Sequence, residues 1–130
     1  MKRLHMKITV LLLITIFTVM FGSMVVSAST TRTITAHNIA SGTTMQYYNG
    51  NGYSIAGGNY MTLSVYFDNA YQCSAGYKNV TTGVFTTAVG TGTRSSVYFC
   101  EQMPVTALYY AWIKNSSSVT MRVTGGTIEY

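Results

Sequence analysis

Beyond residue 28 the chain carries three carboxylates, Asp68, Glu101 and Glu129, one histidine, His37, and two cysteines, Cys73 and Cys100. Each suggests a chemistry that the surrounding residues can support or refuse. Hydrolysis of a glycosidic bond by acid–base chemistry needs two carboxyl groups facing one another across the bond. Asp68 and Glu101 both fall at expected strand ends, where lone carboxylates are ordinarily solvated, and Glu129 is next to the last residue. A serine nucleophile would have to use His37, and no Gly-x-Ser-x-Gly elbow is present after residue 28. His37-Asn38 reads instead as the end of a strand. Two cysteines with one distant histidine do not have zinc-site spacing, and Asp68-Asn69 alone is too few oxygens for calcium. The expectation is a protein that is not an enzyme and takes no metal and no cofactor.

The cysteines read differently once the N-terminus is considered. Lys2, Arg3 and Lys7 precede the uncharged run Ile8 to Phe21, and Val26-Ser27-Ala28 puts small residues where signal peptidase needs them. Residues 1–28 therefore read as a secretory signal peptide, helical in its apolar part, with cleavage after Ala28. The alternative is an uncleaved anchor, since Ile8 to Val26 is almost long enough to span a bilayer. Either way residues 29–130, one domain of 102 residues, are expected outside the cytoplasm as a secreted, extracellular protein. In that setting an even cysteine count implies pairing, so one disulfide is expected between Cys73 and Cys100. Removing the leader also removes three of the eight basic residues, leaving Arg32, Lys78, Arg94, Lys114 and Arg122 against three acids. Five cations spread singly do not make a nucleic-acid surface, and no nucleic-acid partner is expected.

Tyrosine is the unusual feature. All eleven tyrosines lie after the leader, and Tyr47, Tyr48, Tyr53 and Tyr60 cluster around two Gly/Asn-rich segments, Asn49-Gly50-Asn51-Gly52 and Gly57-Gly58-Asn59. A ring with a polar tip, beside Ser, Gly and Asn, suits a recognition surface. It also suits the packing of a sheet, so each ring has a structural reading next to its functional one.

The elements that must position these residues read as strands throughout. Met61-Leu63-Val65-Phe67 alternates with Thr62-Ser64-Tyr66, Val97-Phe99 with Ser96-Tyr98-Cys100, and Val119-Met121-Val123 with Thr120-Arg122-Thr124. Thr106 to Lys114 is apolar on both faces and suits a central strand, while Val84 to Val89 and Arg32 to Ile39 are weaker strands. Gly90-Thr91-Gly92 and Gly125-Gly126 read as further turns, and Asn115-Ser116-Ser117-Ser118 as a hairpin connection. The fold class expected is all-β, a small antiparallel β-sandwich or jelly roll of about seven or eight short strands.

Three functions fit these residues. The first is a secreted binding module for a cell-envelope glycan or protein, contacting it through Tyr47, Tyr48, Tyr53 and Tyr60. The second is a bacteriocin-like antimicrobial protein that touches membranes, which small size, export and slight positive charge permit. The third is a surface or matrix protein that self-associates through sheet edges with few charges to protect them.

Overall fold

The computed structural model describes residues 29–130. The leader, its helix and its cleavage site lie outside the described residues. Within them the fold is all-β, with no helix: β1 (Thr31–Ile34), β2 (His37–Ile39), β3 (Thr44–Tyr47), β4 (Tyr53–Ile55), β5 (Tyr60–Asn79), β6 (Phe85–Gln102), β7 (Ala107–Asn115) and β8 (Met121–Glu129). They form one antiparallel sheet of eight strands that curls.

The register reduces these eight strands to four long runs. β5 carries β6 along one side, and on its other side β8 pairs Thr62–Phe67 while β7 pairs Cys73–Asn79. β7 and β8 therefore follow each other along the same flank of β5. On their far side β1 and β2 pair β8, and β3 and β4 pair β7. The expected hairpin through Asn115-Ser116-Ser117-Ser118 is corrected by this arrangement, because β7 and β8 continue one another rather than pair. The curl bends β5 within its length, between the half that pairs β8 and the half that pairs β7. In β5 the bend coincides with a register shift between Tyr66 and Tyr71, where the extra residues of a bulge re-aim a strand.

The curl lets both halves of the sheet share one core. Met61, Leu63, Val65 and Phe67 from the first half of β5 meet Cys73 and Ala75 from its second half, with Tyr109, Ala111 and Ile113 of β7 and Met121, Val123 and Ile128 of β8. Met61, Leu63 and Val65 are fully buried, worth about 1.5–3 kcal/mol each relative to exposure. The period-two pattern in this segment is thus the core face it suggested.

Three further sequence readings need correction. Gly90-Thr91-Gly92 is no turn, because β6 runs through it to Gln102. Gly125-Gly126 likewise lies inside β8. A Cβ on Gly126 would meet the Ser64 carbonyl and sit 2.9 Å from Val65 Cα, so this glycine serves close strand approach rather than reversal. The Cys73–Cys100 disulfide is absent, and both thiols are free. Cys73 lies opposite Gly92 and faces the core, whereas Cys100 lies opposite Thr62 and is exposed. Eleven positions of β5 separate the two sites, and a disulfide needs Cα atoms within about 7 Å. Counting cysteines carries no such geometry.

Candidate functional site

β7 is apolar on both faces because both faces have a packing role. Tyr109, Ala111 and Ile113 enter the core, and Tyr110 and Trp112 leave the sheet on the outside. Across the sheet Lys78 of β5 stands opposite both Tyr110 and Phe85 of β6, and Gly76 stands opposite Trp112. The outer side chains consequently form a second, smaller cluster. Phe85 meets Tyr110 and Trp112 edge-on, with ring centroids 6.4 and 6.3 Å apart. Tyr48, just past β3, lies 5.9 Å from Tyr110. The Lys78 ammonium sits over the Phe85 ring at 4.5 Å and the Tyr110 ring at 5.5 Å, which is cation–π distance.

Gly76 is what lets the indole lie down on the sheet. A Cβ there would meet the Thr86 carbonyl and come within 2.9 Å of Trp112 Cζ2. With that space free, Trp112 Nε1 donates to the Tyr77 carbonyl at 3.1 Å. Trp112 and Tyr110 are thereby held at 6% and 8% exposure, whereas Tyr48 and Phe85 remain 55% and 52% exposed. Beside this row of rings is a cleft of about 320 Å³ lined by Thr44, Ser74, Phe85, Thr87, Trp112 and Lys114. Aromatic faces and neutral hydroxyls thus share one surface.

Tyr48 also borders a second groove of about 310 Å³, at the edge where the first long run folds on itself. β1 and the start of β2 supply Arg32, Ile34 and His37, and β3 and β4 supply Gln46, Tyr47 and Tyr53. His37 Nδ1 donates to the Thr35 carbonyl at 2.8 Å, so its Nε2 can accept the Tyr47 hydroxyl at 3.0 Å. That bond ties β2 to β3 across the groove. Burial pushes the Tyr47 phenol well above its ordinary range. Burial also raises Tyr53, helped by Tyr130, on which its ring packs at 4.4 Å. The Arg32 guanidinium is raised first by a hydrogen bond to the Tyr130 side chain.

The four tyrosines singled out in the sequence therefore have different positions. Tyr47 and Tyr53 are buried, with edges lining the groove. Tyr48 is exposed and joins the groove to the ring row. Tyr60 is exposed but borders a separate cleft of about 390 Å³ with Tyr130, Thr62, Cys100 and Glu129. Phe85, Tyr110, Trp112, Lys78 and Lys114 had no local signal as a group. Only the outward parity of Tyr110 and Trp112 in a central strand could have suggested a second aromatic face. Asp68 accepts the Tyr71 hydroxyl at 2.7 Å. Glu101 shares a register with core-facing Met61 and Glu129 with Thr62, on opposite faces of the sheet. Among the described residues no three His, Cys, Asp or Glu side chains converge. The sequence matches no protein-family model and no curated protein.

Proposed function

We propose that this protein is a secreted, non-enzymatic binding module for an extracellular glycan, the two halves of its curled sheet serving as the layers of a β-sandwich. The observation that carries this reading is the ring row Tyr48–Tyr110–Phe85–Trp112, outside the core yet packed and oriented. Fixed rings offer a flat apolar surface to the C–H face of a sugar at little cost in side-chain entropy. Thr44, Ser74 and Thr87 beside them, and Gln46 in the adjoining groove, supply donors and acceptors for ring hydroxyls. A polyol with apolar faces matches that mixture better than the apolar core of a protein interface does.

Retention on immobilised polysaccharides tests the reading. Tyr48→Ala and Phe85→Ala remove the two exposed rings and leave the indole and its hydrogen bond in place. Each should weaken binding by about 1–2 kcal/mol, roughly ten-fold, with the protein still cooperatively folded at the assay temperature. Retention that survives both substitutions would remove the ring row from the binding surface.

A second reading rests on a separate observation. β6 pairs only with β5 among the described residues, so an 18-residue strand presents its other edge unpaired. Self-association through that edge would make a surface or matrix material.

A further inference from the structure

Of the five cations of residues 29–130, Lys78 and Lys114 stand on the face of the ring row, whereas Arg122 shares the surroundings of Tyr71 with Asp68. Lys78 lies over Phe85 and Tyr110, and Lys114 lines the cleft beside Trp112, while Arg32, opposite core-facing Ile128, lines the separate groove that Tyr48 borders. On the sheet Lys78 stands opposite Tyr110, and Lys114 follows Trp112 at two residues' spacing on the same face, so the two lysines occupy register positions on either side of Trp112. No acid lines either the groove or the cleft. The acids are elsewhere: Asp68 holds the Tyr71 hydroxyl, Glu101 ends β6, and Glu129 borders the separate cleft with Tyr60. A chain with so few charges gains a one-signed surface only where its few cations are gathered without acids between them.

We infer that the ligand of this surface is a polyanionic glycan, its sugar faces on the ring row and its carboxylate or sulfate groups on Lys78 and Lys114. The inference rests on the glycan-binding reading and adds the charge class of the ligand. Lysines on either side of a ring along the sheet suit anionic groups repeated along a polymer. Each pair is exposed and therefore contributes modestly and is screened by salt. The aromatic contact supplies affinity that salt does not remove. A nucleic acid also combines flat rings with repeated charge. Its phosphates are dense, however, and two separated cations neutralise few of them.

Matched polymers separate these terms. The purified protein is passed over immobilised polygalacturonate and its methyl ester, and over dextran sulfate and dextran, at low and at 0.5 M salt. The charged member of at least one pair should bind ~10-fold more tightly than its neutral partner, with the preference shrinking at high salt. The pair that shows the preference identifies carboxylate or sulfate as the anionic group. The double variant Lys78→Gln/Lys114→Gln should abolish that preference while retaining the weaker binding to the neutral polymer, with an unchanged melting temperature. Equal affinity for charged and neutral members overturns the polyanion inference and leaves glycan binding standing. Absence of retention on all four polymers overturns both. Single-stranded DNA bound more tightly than any of the four would reassign the surface to nucleic acid and overturn the inference as well.

Discussion

Tyr47 shows how one side chain can be structural and still set a property of the whole protein. Its ring is buried among core residues, and its hydroxyl reaches the edge of the groove to meet His37. Burial favours the neutral phenol, so its ionisation is shifted above the ordinary value of 10.0 in the folded state. The sign follows from proton counts. Above about pH 10 the unfolded chain has released this proton and the folded chain has not, so the unfolded state binds fewer protons and stability falls as pH rises. Below pH 10 both states hold the proton and the contribution is level. Tyr47→Phe should therefore have two effects in urea unfolding. At pH 7 it should cost about 1 kcal/mol for the lost hydrogen bond to His37. Between pH 10 and 11 it should flatten the decline by as much as about 1.4 kcal/mol per pH unit relative to wild type. Parallel declines in the two proteins would mean that Tyr47 is solvated. The sequence could not separate Tyr47 from Tyr48. Both rings carry the same amphipathic side chain on consecutive residues, and only the parity of β3 sends one inward and the other out.

Among the elements, the junction between β7 and β8 decides the curl. Asn115 is fully buried, and both its amide protons and its oxygen are used. Nδ2 donates to the Ile39 carbonyl at 2.9 Å and to the Val119 carbonyl at 2.8 Å, while Oδ1 accepts the Ser117 amide at 3.0 Å. Its backbone pairs with Thr43 and Gly42. One side chain thus clamps the bends of two neighbouring runs, and it holds Ser116–Ser118 as a corner in place of a two-stranded hairpin. Asn115→Ala removes the side-chain donor to the buried Ile39 carbonyl and one of the two donors to the Val119 carbonyl, and should cost about 3 kcal/mol, read as a lower urea midpoint. Asn115→Asp keeps the acceptor but loses both donors and should be at least as damaging. A loss below 1 kcal/mol would show that water replaces the amide. Strand identity was legible because alternation in Met61–Phe67 and Val97–Phe99 records burial directly. Strand length and connection were not, because glycine is ambiguous. Gly50 and Gly58 do take positive φ in turns, as their Asn neighbours suggested. Gly76 and Gly126 lie within strands where a partner comes too close for a Cβ. The ring row was illegible for a related reason: its members come from β6, β7 and the residue just past β3, and only the register brings them together.

At the scale of the molecule, the long edge of β6 sets the choice between a binding module and a self-associating one. Proteins protect such edges with charges, proline or bulges. Proline is absent from β6, and Arg94, its one cation, turns back to donate to the Gly90 carbonyl at 2.8 Å. The register shifts between β5 and β6 twist the part around residues 85–94, which lowers its capacity to pair. Ser96–Gln102, by contrast, pairs with Tyr60–Tyr66 without interruption and offers the flat stretch of the edge. Tyr98, next to its central residue, is 64% exposed. Two copies meeting edge to edge in antiparallel fashion would place these stretches together about a two-fold axis. If self-association is part of the function, sedimentation should show a concentration-dependent dimer or larger species. Tyr98→Lys should then shift it to monomer, because two like charges would face each other near the axis. The substitution replaces an exposed ring and should change stability by no more than about 0.5 kcal/mol. It lies on β6 away from Phe85, so glycan retention should be unaffected. A wild-type monomer at all concentrations would leave the edge protected by its twist and remove self-association. Loss of glycan retention together with the dimer would instead mean that the sugar site requires two copies, and that the ring row binds its ligand only in the paired state.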